Sequence, residues 1–356
     1  MRYATNYDIG DRKRPTGINE DSVALSVFEQ GHREGYRGQT RPVETGEDHR
    51  TIPANRSAAV FALADGAGGH EAGDVASYIA TTIVCEQLAQ VAVRAARADP
   101  TDFDVDIERT PSVPDAAALR GAIEDAINAA HRAIIANAAE SGVGAYTTVV
   151  AGIVADGQVH YGWVGDSRAY VLNRDHETIA RLTKDHAFVE ELHEMGEIDA
   201  VEAHVHPRGN EITRALGGTP EEDPETAAIS VETSSVPLYA ADRLLVTSDG
   251  LIDAQTDAPD LYDRYVDSDR AEEVATEIRD AVVTDEEIRD VVLDADSLET
   301  AAAALGALTN DRGGKDNFSA LLVADETLPE TPDELPVRDI DEKSVEDRET
   351  QIVPEE

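Results

Sequence analysis

Several carboxylates stand where short apolar stretches begin or end. Asp65 closes the run in ALADGAGGH, and Asp166 closes another in WVGDSRAY. Asp249 follows one in VTSDGLIDA; Asp316 in GGKDNFSALLV and the Glu20-Asp21 pair in GINEDSVAL each precede one. A carboxylate at the end of a buried strand is expensive unless something positive meets it. If these strands lie side by side, their ends bring the carboxylates to one rim, where nearby basic residues are too few to balance them. A cluster of divalent cations is the natural partner, and oxygen-only ligands select hard ions such as Mg²⁺ or Mn²⁺. Each motif alone is weak, because Asp-Gly is a common turn dipeptide. The recurrence of the same arrangement at several strand boundaries is what points to a site.

The elements that must carry these residues are short and apolar. Strands are expected at residues 22–29, 58–64, 148–154, 159–164, 169–172, 243–247 and 318–324, with Asp156-Gly157 as a hairpin turn. Long helices are expected at 74–97 and 115–139; the second places Leu119, Ile123, Ile127, Ala130 and Ile134 at helical spacing. Pro114 fits its start and Gly142 its stop. Hairpin spacing argues for antiparallel sheets, and the economical layering is α+β: two antiparallel sheets with helices packed outside. One domain is expected over 1–325, with insertions near 30–56, 99–114 and 257–297. An acidic, disordered tail is expected over 326–356, because its composition cannot bury a core.

Composition limits the function. The chain has 356 residues, with 73 Asp+Glu against 30 Lys+Arg, a formal charge of −43. Such a chain will not grip a nucleic-acid backbone or an anionic membrane surface. Its hydrophobic content of 41% still supports a core. Only four of the basic residues are lysine (Lys13, Lys184, Lys315, Lys343), a balance expected of a protein adapted to a salt-rich cytoplasm, where self-repulsion is screened. Most of the carboxylates are then a solvated coat. The one cysteine, Cys85, excludes an internal disulfide and reads as a small core residue. There is no apolar leader and no long apolar run, so a soluble cytoplasmic monomer is expected.

Taken in order, YDIG, NED, ADGAGGHEAGDVAS, YTTVV, GDSRAYVL, LTKDHAFVEEL, HPRGNEITRALG, SDGLID and GGKDNFSALLV resemble the PPM family of metal-dependent serine/threonine protein phosphatases, also called PP2C-type. The resemblance runs from about Thr5 to Val323. It implies an α-β-β-α sandwich of two antiparallel sheets flanked by helices, in agreement with the layering above, and a metal site at one end of the sheets holding two Mg²⁺ or Mn²⁺ ions and a weaker third. By it, Asp65 bridges two ions, Gly66 offers its carbonyl, and Asp249 and Asp316 complete the first ion's carboxylates. Glu20 serves the second ion, with Asp21 behind it. Asp166 and Asp253 match the third site, shared with Asp249, and Asn317 orients Asp316. Asp65, Asp249 and Asp316 are thereby the catalytic set, through a metal-bridged water that attacks the phosphate. Phosphoserine and phosphothreonine on proteins are the implied substrates.

Two positions depart from the family. Thr16 stands where many members have a phosphate-binding arginine; Arg14, in DRKRPTG, is the favoured substitute. Ala67 stands where some members have a histidine that protonates the leaving group; His70 is nearby. Residues 182–217 resemble the flap beside the site, and His204 and His206 there read as surface residues. The competing readings are a non-catalytic interaction or sensor module on the same scaffold, and a small-molecule phosphatase.

Overall fold

A computed structural model describes residues 1–14, 17–29, 57–67, 72–96, 114–252 and 258–340. The expected insertions at 30–56 and at 99–113 lie outside the described residues, as do His70 and Asp253.

Two antiparallel sheets form the centre. The five-stranded sheet runs β1 (Arg2–Asp8), β12 (Phe318–Ala324), β11 (Asp242–Thr247), β7 (Arg168–Asn173), β8 (Thr178–Arg181). The seven-stranded sheet runs β10 (Glu232–Pro237), β6 (Gln158–Val164), β5 (Val149–Ala155), β3 (Ser57–Ala67), β4 (Ala145–Thr147), β9 (Leu216–Gly218), with β2 (Asp21–Glu29) paired to β3. Helices α1 (Ala72–Ala95) and α2 (Ala116–Ser141) cover the outer face of the seven-stranded sheet; α7 (Asp285–Asp294) and α8 (Leu298–Asp311) cover the other. This is the α-β-β-α sandwich expected from the sequence. Helix α2 begins and ends on the signals read there: Asp115 caps it by accepting from the Ala118 N–H, and Gly142 closes it at φ 74°.

The period-2 alternation of the strands sorts their side chains between two cores. Along β3, Ala58, Val60, Ala62 and Ala64 face the helices, while Ala59, Phe61 and Leu63 face the opposite sheet. Val23, Leu25 and Val27 of β2, Val171 and Ala169 of β7, Leu244 and Val246 of β11, and Leu321 and Val323 of β12 join that inter-sheet core. The next residues in these rows are Asp65, Asp21, Ser167, Ser248 and Ser319. The apolar core between the sheets thus ends, at one end of the sandwich, in a polar rim. Cys85 packs against the helix-side core, and burial pushes its thiol up to about 12.

Three findings correct the sequence reading. Strand β1 was not expected, because RYATNYD is an edge strand that leaves Tyr3 and Tyr7 exposed and shows no apolar run. Residues 258–294, expected as an acidic and only partly helical insertion, are mostly helix: α5 (Ala258–Asp267), α6 (Glu272–Ala281) and α7 are amphipathic, and Leu261, Tyr265, Ala275 and Ile278 form a small core with Val205 of α4 (Ala200–Val205). The expected disordered tail does not start at 326, since residues 326–340 lie along the far end of the sandwich. There Arg338 makes a buried ion pair with Asp242 (2.6 Å), Asp339 accepts from the Arg181 N–H (3.0 Å), and Ile340 enters the inter-sheet core. Composition misses this strap because a few well-placed contacts, not average hydrophobicity, hold it. Residues 341–356 lie outside the described residues. No helix among the described residues is long and apolar enough to cross a membrane.

The strap generates a prediction. Removing one partner of a buried pair leaves the other charge unbalanced, which costs about 3 kcal/mol or more. Arg338→Ala should therefore lower the unfolding free energy by about that amount. Urea denaturation followed by circular dichroism measures it, and an unchanged midpoint would show that the strap contributes nothing.

Candidate metal centre

Strand register forces the centre of the site. In the β2–β3 ladder Asp21 lies directly opposite Asp65. Both continue rows of inter-sheet side chains, so both carboxylates point to the same end of the cleft. Each keeps some surface at the cleft yet is enclosed by protein on most sides. Like charges directly opposite are destabilising.

The backbone around Asp65 is fastened on both sides. Its N–H donates to Thr148 Oγ1 (3.0 Å), and its carbonyl accepts from the Thr148 N–H and from Thr147 Oγ1, each at 2.8 Å. Thr148 Oγ1 in turn meets Ser167 Oγ at 2.7 Å. The strand does not stop at Asp65, as its sequence suggested. It leaves β5 and continues through Gly66 and Ala67, which pair with β4. Gly66 is sterically required: a Cβ there would lie 2.1 Å from the Gly73 carbonyl oxygen of α1. Its N–H donates to the Glu20 carbonyl (3.1 Å), which also accepts from Ser77 Oγ (2.6 Å).

The other carboxylates arrive from the five-stranded sheet. Asp249 opens a 3-10 turn directly after β11, and a Cβ on Gly250 would stand 1.9 Å from the Asn317 carbonyl oxygen, so the two loops touch. Asp316 precedes β12 and accepts from the Asn317 N–H (2.6 Å). The Asn317 side chain is buried and works elsewhere: Oδ1 accepts from the Glu20 N–H (2.9 Å) and Nδ2 donates to the Ile9 carbonyl (3.0 Å). It pins the Glu20 backbone, while its own backbone orients Asp316. Ser248 bridges the sheets, donating to Asp21 Oδ2 (2.9 Å) and accepting from the Ser319 N–H (2.9 Å).

The electrostatics follow from crowding. Burial holds Asp65 well above the usual carboxylate range, and the charges of Asp21, Asp249 and Asp166 push it further. Burial raises Asp21 to about 6, against the hydrogen bond from Ser248. Glu20 is raised as well, first by burial and then by Asp316 and Asp74, with Lys13 opposing. Asp21 Oδ1 is buried and has no hydrogen-bond partner. Oxygen donors in excess, with an orphaned carboxylate oxygen among them, suit a hard divalent cation. Among the described residues no three carboxylate, imidazole or thiol groups converge at coordination distance. The fit is one of donor chemistry and charge. Asp253 lies outside the described residues.

One expected residue is placed otherwise. Arg14 does not reach the cluster. It is exposed and bonds Asp8 (2.8 Å) and Asp11 (2.7 Å), because those two carboxylates sit beside it on the same loop. The cation at the cluster is Lys13, whose ammonium pairs with Asp316. In the sequence Lys13 was one member of a basic DRKR run, and nothing distinguished it there. His204 is exposed, as a surface reading expects, whereas His206 is half-buried against Phe188 and Tyr262.

The turn that presents Asp166 is held by His186, a residue of LTKDHAFVEEL that the sequence reading did not single out. That turn begins at Gly165, at φ 106°. The Gly165 N–H donates to His186 Nδ1 (3.0 Å), so the other nitrogen, Nε2, is the one that faces Glu232 (2.9 Å). The His186 ring stacks on Trp163, with 6° between the planes, and its carbonyl accepts from the Thr213 N–H (2.8 Å). Arg214 also pairs with Glu232, at 3.3 Å. Burial pushes Glu232 up, but the His186 hydrogen bond and the nearby His186 and Arg214 charges bring it below its ordinary value. The loop from 182 to 217 is thus tied at both ends to the turn that presents Asp166.

Comparison with known proteins settles the family. Residues 44–291 match the family profile of Protein phosphatase 2C. The chain belongs to the PP2C-type serine/threonine protein phosphatases. The "Serine/threonine phosphatase stp" of Listeria welshimeri is 30% identical over 268 residues, covering 74% of this chain and 83% of that protein. "Protein phosphatase PhpP" of Streptococcus pneumoniae is 30% identical over 262 residues, covering 74% and 84%. Among solved structures, the serine/threonine phosphatase PstP/Ppp of Mycobacterium tuberculosis has a TM-score of 0.56 at 26% identity, covering 90% of this chain and 97% of that one. The PstP catalytic domain in complex with two manganese ions also has a TM-score of 0.56 at 26% identity, covering 91% and 98%. None of these relatives supports a salt-adapted origin.

In this phosphatase, His186→Phe would keep a ring on Trp163 while removing both nitrogens, leaving the Gly165 N–H without its partner and Glu232 with Arg214 alone. An unsatisfied buried group costs about 1–3 kcal/mol. Urea denaturation should show a loss of that size, and no loss would mean that the Gly165 turn is held by the backbone alone.

Proposed function

We propose that this phosphatase removes phosphate from phosphoserine and phosphothreonine on proteins with the help of two Mg²⁺ or Mn²⁺ ions. The observation that carries the reading is the enforced pairing of Asp21 with Asp65 at the cleft floor, in a chain whose family acts on phosphoproteins. In a relative, two manganese ions accompany this fold. Asp65, Asp249 and Asp316 are the proposed principal ligands, with the Gly66 carbonyl and Glu20 beside them. Asp166 and Asp253 are proposed for a weaker third ion, shared with Asp249. Asp21 and Asn317 stand behind these groups and hold them. Bound cations would supply the charge that activates water and screens the phosphate oxygens.

The protein's own part is positional. Thr147 and Thr148 hold the Asp65 backbone against movement. Ser248 keeps one oxygen of Asp21 engaged, while the other is buried without a hydrogen-bond partner. Ala67 is exposed at the end of β3 and has no ionisable group, so the leaving-group proton must come from water or another residue. A non-catalytic module would have no need of these carboxylates, and all those in described segments are present. The protein is proposed to act in the cytoplasm as a monomer.

Two measurements test the reading. Asp65→Asn and Asp249→Asn should each lower Mn²⁺-dependent hydrolysis of a phosphothreonine peptide by about 10²-fold or more, the scale of losing a principal electrostatic group. Comparison with sugar phosphates and nucleotides separates a protein phosphatase from a small-molecule one. Wild-type protein inactive on every substrate with either metal would refute the enzyme.

Metal binding should also depend on pH. Asp21 titrates at about 6 and Asp65 well above its ordinary value, so the folded protein takes up protons as pH falls through that window. A cation must displace those protons. The rise in melting temperature caused by Mn²⁺ should therefore be small at pH 5 and larger at pH 7.5. An equal rise at both would show that these carboxylates do not bind it.

A further inference from the structure

We propose that Lys13 is a built-in counter-ion of the metal cluster, competing with the incoming cation for Asp316 and thereby setting the metal affinity. The inference rests on the metal reading above and adds a residue to it.

The geometry places one ammonium among many carboxylates. Lys13 pairs with Asp316 through Oδ1, and its side chain is about one-third exposed, at 33%, as is that of Asp316. The charges of Glu20 and Asp65 act on the same ammonium. Lys13 thus answers three of the proposed ligands at once. The other basic side chain of its loop placed by a contact, Arg14, is committed to Asp8 and Asp11.

The loop is built to present this amine. The Lys13 and Arg14 N–H groups both donate to the Gly10 carbonyl (3.1 Å each), and the Arg12 N–H donates to the Gly314 carbonyl (3.1 Å). The turn is therefore docked on the segment that carries Asp316. A mere surface ion pair would need no such docking and would contribute little.

The same oxygen cannot serve an ammonium and a dication equally. Lysine on a flexible stem with one third of its surface exposed can leave without unfolding anything. With the amine in place, the carboxylates are partly neutralised; a dication arriving at Asp316 meets that ammonium as a like charge on the same oxygen. Lys13 therefore stabilises the metal-stripped protein and opposes metal binding. These two signs distinguish it from a ligand-organising residue, whose loss would weaken metal binding.

The test is Lys13→Met, which keeps the stem and removes the charge, beside Lys13→Arg, which keeps the charge. Mn²⁺ is titrated calorimetrically into full-length, chelator-stripped protein at one pH and one salt concentration, with no substrate. Lys13→Met should bind Mn²⁺ about tenfold more tightly than wild type, the scale on which groups around a metal site act. Its melting temperature without metal should fall, and the deficit should vanish or reverse in saturating Mn²⁺. Lys13→Arg should stay close to wild type in both. Equal or weaker Mn²⁺ affinity in Lys13→Met overturns the counter-ion assignment while leaving the metal site intact. No Mn²⁺ or Mg²⁺ binding by wild type overturns both.

Discussion

Two carboxylates face one another across β2 and β3, and the strands cannot slip to separate them. A one-residue shift would turn Val23, Leu25 and Val27, or Phe61 and Leu63, out of the inter-sheet core. Each such side chain contributes about 1.5–3 kcal/mol by burial. The sum over two strands far exceeds what relief of one repulsion could return. The apolar rows therefore dictate the position of Asp21 and Asp65, and their mutual repulsion is imposed by the core.

This explains why the surroundings are so heavily constrained. Thr147, Thr148 and Ser167 fix the backbone of Asp65; Ser248 and Asn317 fix the opposite wall from the five-stranded sheet. Gly66 and Gly250 are present because the loops approach too closely for a side chain. The result is a cleft whose floor comes from both sheets. Its geometry is inseparable from the packing of the sandwich, so a change deep in the inter-sheet core would be felt at the carboxylates.

The parts of this arrangement that were legible in the sequence share a physical basis. Buried central strands appear as apolar runs, and an acid at the end of such a run stands out; Asp65, Asp166, Asp249 and Asp316 were visible for that reason. Helix α2 was visible through its period and its caps. Edge strands were not: β1 and β10 are half-exposed, and RYATNYD and ETSSVP carry no apolar run. The strap at 326–340 was hidden because its anchoring depends on single residues such as Arg338 and Ile340 meeting partners far away in the chain. Lys13 and Arg14 could not be distinguished from spacing, since which of two neighbours faces a cleft depends on the turn between them. His186 belonged to a recognised motif, but its role depends on Gly165 and Glu232, which come from distant segments.

The two ends of the sandwich show what separates a structural charge from a functional one. At the far end Asp242 is also buried, but Arg338, Asn173 and the Tyr239 N–H surround it, so each oxygen is answered and the group has no need of anything from solution. At the cleft end the carboxylates outnumber the cations, and the lysine among them is paired with Asp316. Arg338 is buried and holds its partner permanently, whereas Lys13 is one-third exposed and can yield Asp316 to a dication. Of the chain's large negative charge, then, only a small part matters for chemistry. It is the part that the apolar rows force together and that the protein leaves incompletely neutralised.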